Sequence, residues 1–244
     1  MRGLAGEQLL TAWERSRALP EQEAALALLE QAQPERRADE WALMPLSERN
    51  ALLLELRAAT LGRRMEGFAV CPDCGAQLEF AMDARELARG LRAQAEEAGG
   101  EQDGLAMRPA NTLDLLASGA AESEEEARSI LLARTAGVEA TDSAGAAASW
   151  IAAQPAQAVA RMAERFEALN AAAEIRVRFE CVACGSRPWL DLDIVRFLQR
   201  EISAAARRLM AEIHELALAY GWSEAAIAAM STVRRAAYLE MLGA

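Results

Sequence analysis

A chain of 244 residues can bury a sizeable core, either as one elaborated domain or as two small ones. It is rich in Ala, Leu, Glu and Arg and poor in aromatics, which points to a mainly helical protein with a small β part. The formal net charge is −11, lysine is absent, and His214 is the single histidine. Schiff-base lysine chemistry, a P-loop lysine and a His-rich metal site are thereby excluded, and a Ser–His–Asp triad would rest on one imidazole. Residues 76–170 hold sixteen acids against eight arginines, whereas residues 171–244 are balanced. An acidic surface argues against general binding to a phosphate backbone. The N-terminus carries no basic stretch followed by an apolar core, so no secretory signal is expected, and no apolar run is long enough to span a bilayer.

Along the chain, residues 6–18 and 21–32 read as short helices separated by Pro20 and closed by Pro34. Ser47 is expected to cap the helix SERNALLLELRAATLG, with Leu52, Leu53, Leu56 and Leu61 on its apolar face and Gly62 as its stop. The next segment, GFAVCPDCGAQLEFAMD, reads as strand, knuckle, strand. Phe68 and Val70 alternate before Cys71-Pro-Asp-Cys74-Gly75, and Leu78, Phe80 and Met82 alternate after it. Asp83 with Glu86 resembles a capping arrangement that opens a further helix.

Residues 98–104 are predicted to be a loop, and Ser123 with Glu126 forms a capping box for a helix that Gly137 closes. The acids Glu122, Glu124, Glu125 and Glu126 are read as helix-start residues favoured by the macrodipole, in preference to a metal site. Residues 139–149 show no fixed period. Pro155 opens a helix with Val159, Met162, Phe166 and Leu169 inward. Ile175, Val177 and Phe179 then alternate with charged residues before Cys181-Val-Ala-Cys184-Gly185. Leu190, Leu192 and Ile194 alternate after it, and a long helix runs to about Tyr220. Placing Cys71 on Cys181 aligns the outgoing strands, but the incoming strands differ in parity, so the repeat is rough.

The two C-x-x-C-G pairs hold all four cysteines. A two-residue gap lets both sulfurs converge on one ion, and glycine after the second ligand tolerates positive φ. Four thiolates in two knuckles suit a closed tetrahedral zinc site built from Cys71, Cys74, Cys181 and Cys184. Iron also suits four thiolates, and two disulfides are the alternative in an oxidising compartment. The gap of roughly a hundred residues is far longer than the usual 15–20 of compact zinc motifs. The expected fold is therefore mainly α around a split four-cysteine zinc ribbon. Its parts are an N-terminal helical region (1–65), a first hairpin (66–83), an acidic helical insertion (84–172), a second hairpin (173–194) and C-terminal helices (195–244). A four-sulfur site has no open position, so the zinc is expected to be structural and no enzyme is read here.

Among the remaining candidates, His214 is expected to be a partly buried, hydrogen-bonded helix residue, and Asp191 and Asp193 to lie on a strand's solvent face. Ser223 and Ser231 cap two short C-terminal helices, with Trp222, Ile227, Met230, Tyr238 and Leu239 as contacts. This helix–turn–helix pattern could set Arg234 and Arg235 on a DNA backbone, on an otherwise unfavourable acidic chain.

The stretch EIHELALAYGWSEAAIAAMSTVRRAAYLEML resembles the C-terminus of a zinc-knuckle family found in phage-like contractile injection system clusters. That family resembles the T-even phage baseplate proteins. The likeness extends to PLSERNALLLELRAATLGRRMEGFAVCPDCGAQLEF and RFECVACG, about half the chain, while residues 90–150 match no motif. Part of the C-terminal pattern is also similar to small tail-assembly proteins of the same clusters. The resemblance implies a non-enzymatic baseplate component or assembly chaperone of a bacterial cytoplasm, or of the assembled particle. Its partners would be other baseplate, tail or tape-measure proteins, reached through Trp222, Arg234 and Tyr238. The alternative is a zinc-ribbon nucleic-acid adaptor or transcription regulator, for which Arg176, Arg178 and Arg187 near Trp189 would be the contacts.

Overall fold

The structure, a computed structural model, describes residues 1–99, 106–138 and 144–243. It is mostly helical, with two small antiparallel sheets. Helices α1 (Glu7–Arg17) and α2 (Glu21–Ala32) form on either side of Pro20, which occupies the N-cap of α2. A five-residue helix that periodicity does not reveal, α3 (Ala38–Ala42), carries Trp41 fully into the core. Helix α4 (Leu46–Leu61) corrects the expected cap: Pro45 holds the N-cap, and Ser47 lies buried inside the first turn. The amide of Leu46 needs no capping side chain, because it donates to the Ala110 carbonyl at 2.9 Å.

Strands β1 (Arg64–Val70) and β2 (Gln77–Asp83) pair antiparallel around the first knuckle, and Asp83 accepts from the amides of Arg85 and Glu86 to start α5 (Ala84–Ala98). Here the sequence pattern misassigns a face. Met65, Gly67 and Ala69 point inward, while Phe68 and Val70 are 75% and 61% exposed. The cause is Phe80, whose ring occupies the space above Gly67, where an added Cβ would meet it at 2.6 Å. The inward row is apolar because Phe80 fills it, not because residue 67 has a side chain.

Between the hairpins run α6 (Thr112–Ser118), α7 (Glu124–Thr135), α8 (Ala144–Ala152) and α9 (Ala156–Asn170), followed by a 3-10 turn at Ala171–Ala173. Neither α6 nor α8 was expected. Residues 100–104 of the expected loop, and 139–143 of the segment without a period, lie outside the described residues. Ser123 caps α7 through the Glu126 amide, but the Glu126 carboxylate accepts from Glu122 rather than closing the box. Pro155 stands at the N-cap of α9. The insertion is tied back to α4 by the Pro45–Asn111 bridge and by Arg49, which donates to Thr112.

Strands β3 (Arg176–Arg178) and β4 (Trp189–Asp191) repeat the first hairpin. The Gly67–Phe80 pair recurs as Val177–Leu190, and Phe68–Glu79 recurs as Arg178–Trp189. With Met65 and Gly67 inward, the incoming strands now agree in parity with Ile175 and Val177, so the repeat is closer than its sequence suggests. Asp193 caps α10 (Ile194–Tyr220) as Asp83 caps α5, accepting from the Arg196 amide; it is a helix cap and not a strand residue.

Helix α10 runs through the core with Ile194, Leu198, Ile202, Ala206, Leu209, Ile213 and Leu216 inward, a row at the three- and four-residue spacing of one helix face. One apolar core joins α1, α2, α4, α5 and α10, so segments distant in sequence share it. Gly221 ends α10 in the left-handed region (φ 67°), and α11 (Glu224–Ala228) and α12 (Thr232–Leu242) follow, capped by Ser223 and Ser231. No helix among the described residues is long and apolar enough to cross a membrane.

Candidate metal centre

Each knuckle is a tight turn closed by the same two backbone hydrogen bonds. Gly75 donates to the Cys71 carbonyl at 2.9 Å, and Cys71 donates to Ala76 at 2.8 Å. Gly185 donates to Cys181 and Cys181 to Ser186, both at 2.8 Å. Gly75 and Gly185 take φ of 74° and 70°, where a Cβ would be strained, as the motif demands. The turns therefore present two sulfurs each, and the paired hairpins bring the turns together.

All four Sγ atoms lie within 4.8 Å of one another. Cys71 and Cys184 are 3.8 Å apart, and Cys74 and Cys181 are 3.7 Å apart, so each close contact crosses between the knuckles. A tetrahedral ion with metal–sulfur bonds of about 2.3 Å requires sulfur–sulfur edges of about 3.8 Å, while a disulfide needs about 2.05 Å. All four cysteines are free, and the cluster fits a single metal ion and not two disulfides. Cys71 and Cys181 are buried and Cys74 and Cys184 exposed, so the cluster sits at the tip of the hairpins with one side toward solvent.

The electrostatics point the same way. The Ser186 hydroxyl, with the amides of Asp73 and Cys74, pulls the Cys71 thiol down to about 6, and Ser186 also lowers Cys184. The Ala76 amide favours the Cys74 thiolate, but the neighbouring sulfurs of Cys184, Cys181 and Cys71 outweigh it and push that thiol up to about 12. Four adjoining sulfurs cannot all be thiolates without a cation between them, and a divalent ion removes that conflict.

Behind the cluster the hairpins enclose a cleft of about 600 Å³, lined by Phe80, Val177, Phe179, Leu190 and Phe197. The Phe80 and Phe179 rings meet at 4.5 Å across it. Independently of any metal, Arg57 ties the base of the first hairpin to α10. Only 4% exposed, it donates to the Gly62 and Arg64 carbonyls and grips Glu201 with two hydrogen bonds of 2.8 and 2.6 Å.

Residues 6–198 match the T4 bacteriophage base plate protein family. The chain belongs to that family. The match takes in α1 through the start of α10, and so includes both knuckles of this baseplate protein and the insertion between them. Most of α10, with α11 and α12, lies beyond it. Among curated proteins and among solved structures nothing matches.

The remaining candidate residues of the baseplate protein lie around the C-terminal helices, on the second hairpin and on α10. Trp222 stacks on Tyr220 at 4.5 Å, Tyr238 meets Trp222 edge-on at 4.9 Å, and Arg234 lies over the Tyr238 ring at 5.8 Å. Arg235 does not accompany Arg234 outward. It is 5% exposed and holds Glu212 and the Met230 carbonyl, which removes it from any backbone contact. On the second hairpin, Arg187 pairs with Glu180 and Arg178 lies over Trp189. His214 is exposed on α10, not partly buried as expected, because its position falls outside the inward row. Sequence reasoning missed Ser186, whose hydroxyl reaches two of the sulfurs; the only signal was a polar residue where the first knuckle has Ala76.

Proposed function

We propose that this baseplate protein is a non-enzymatic structural or assembly component of a phage-tail-like contractile injection system, with one zinc held by Cys71, Cys74, Cys181 and Cys184. The observation that carries this reading is the four-sulfur cluster drawn from two hairpins 110 residues apart (71 to 181), inside the stretch that matches the baseplate family. Four thiolates with tetrahedral edges suit zinc and leave no open position for substrate, so the ion's contribution is a cross-link between the hairpins. What the cross-link holds in place is the rest of the chain: the acidic insertion on one side and the C-terminal helices on the other.

The surface we assign to a partner is the C-terminal one, around Trp222, Arg234 and Tyr238. Aromatic and arginine side chains dominate binding hot spots, and the helix that carries Arg234 and Tyr238 also exposes Val233 and Met241. The partner is another baseplate, tail or tape-measure protein met in the bacterial cytoplasm during assembly. Purified particles from cells carrying wild-type protein or the Trp222→Ala/Tyr238→Ala variant, compared by mass spectrometry, test this reading. Loss of the protein or of complete particles in the variant is the expected result. Normal particles in both, or tight salt-sensitive binding of the purified protein to nucleic acid, would overturn it.

A further inference from the structure

Among the described residues Ser186 is the one hydroxyl that reaches the sulfur cluster, and it does so from an asymmetric position. Its Oγ lies 3.1 Å from Cys184 Sγ and 3.4 Å from Cys71 Sγ, so it touches one sulfur of each knuckle. Its backbone is fixed, because its carbonyl accepts from the Cys181 amide at 2.8 Å. The turn itself does not require the hydroxyl. In the first knuckle Ala76 occupies the matched position, accepts from the Cys71 amide at the same 2.8 Å, and is half-buried like Ser186. The serine side chain therefore does something for the sulfurs that the local fold does not ask of it.

We propose that Ser186 is a positioning residue for the metal, a hydroxyl that bridges the knuckles and slows the ion's departure; this rests on the zinc reading above. A four-thiolate site around a divalent cation carries two excess negative charges, and hydrogen bonds to its sulfurs stabilise them. The hydroxyl has one proton, which it donates to Cys184 or to Cys71. Cys184 is exposed, so it is a sulfur that water, protons or a chelator reaches first. By holding Cys184 against Cys71, Ser186 keeps the solvent-side ligand in place and restrains the opening of the cluster between its two halves.

The test compares zinc release from purified full-length protein to a colorimetric chelator in excess, for wild type, Ser186→Ala and Ser186→Thr. Ser186→Ala is expected to release zinc on the order of ten times faster, the range in which outer partners of metal ligands act. Ser186→Thr, which keeps the hydroxyl, is expected to stay near the wild-type rate, and far-UV circular dichroism of the loaded proteins to coincide. A merely structural role would slow or speed both variants alike. If Ser186→Ala does not fold, Ala76→Ser poses the same question in reverse: a hydroxyl added at the matched turn is expected to slow release. Unchanged rates in the variant that folds would overturn the role of Ser186 while leaving the zinc in place. A wild-type protein that takes up no metal ends the zinc reading itself.

Discussion

Asp114 has no exposed side-chain surface and accepts from two guanidinium groups, Arg108 at 2.6 Å and Arg134 at 2.9 Å, while its carboxylate also closes a capping box with Asn111. Burial alone pushes its carboxyl up. The hydrogen bonds from Arg108, from the Asn111 amide and from Arg134 outweigh that and hold it below the ordinary aspartate range. A group whose folded value is depressed contributes stability above its unfolded value, about 3.9, and loses it as pH falls through the lower folded value. Asp114→Asn keeps one acceptor oxygen but removes the negative charge that both arginines face, and is expected to cost about 3 kcal/mol at pH 7 in urea unfolding. The gap to wild type should narrow as pH falls below about 4. A gap that stays constant with pH would show that the carboxylate's charge is not what holds the insertion. At this scale the sequence reveals what is local: the Gly75 and Gly185 turns and the Asp83, Ser223 and Ser231 caps all follow from neighbours a few residues away. Asp114 and Ser186 stay hidden because one partner of each, Arg134 and Cys71, comes from elsewhere in the chain.

Among elements, the first hairpin shows where pattern reading fails. Phe68 and Val70 look like an inner face, yet the inner row is Met65, Gly67 and Ala69, completed by a ring from the opposite strand. Side-chain hydrophobicity cannot register a glycine that is covered by its cross-strand partner. Gly67→Ala should displace Phe80 from the cleft between the hairpins and cost roughly 1–3 kcal/mol, read as a lower urea midpoint. An unchanged midpoint would mean that the Phe80 ring moves aside freely. The short helices α3, α6 and α8 escape detection for a related reason: each is too brief to show a period, and tertiary contacts hold it. The C-terminal pair was legible as elements but not in its arginines. Arg235 pins α12 to α10 through Glu212. Arg235→Ala should free α12, seen as faster proteolysis after residue 230 with little change in the rest of the chain. Arg234→Ala should leave that rate unaltered.

At the scale of the whole molecule, two of the linkages that join distant parts of the chain bear on the hairpins. One is the core along α10, reinforced by the Arg57–Glu201 pair across 144 residues. The other is the sulfur cluster at the tips of two repeated hairpins. The core already holds the hairpin bases together. A metal at the tips would then fix how far the hairpins and their cleft open, and through them the placement of the insertion. The split ribbon was visible in the sequence because its cysteines are few and regularly spaced; that both hairpins share one core with the N-terminal helices was not, since no local signal encodes it. The most direct test is the metal content and sulfur coordination of the purified protein, with Cys181→Ser as the comparison. About one zinc per chain, bonded to four sulfurs at about 2.3 Å by X-ray absorption, with loss of metal and a lower melting temperature in the variant, is the predicted result. Metal-free wild-type protein that melts at the same temperature as Cys181→Ser would contradict it.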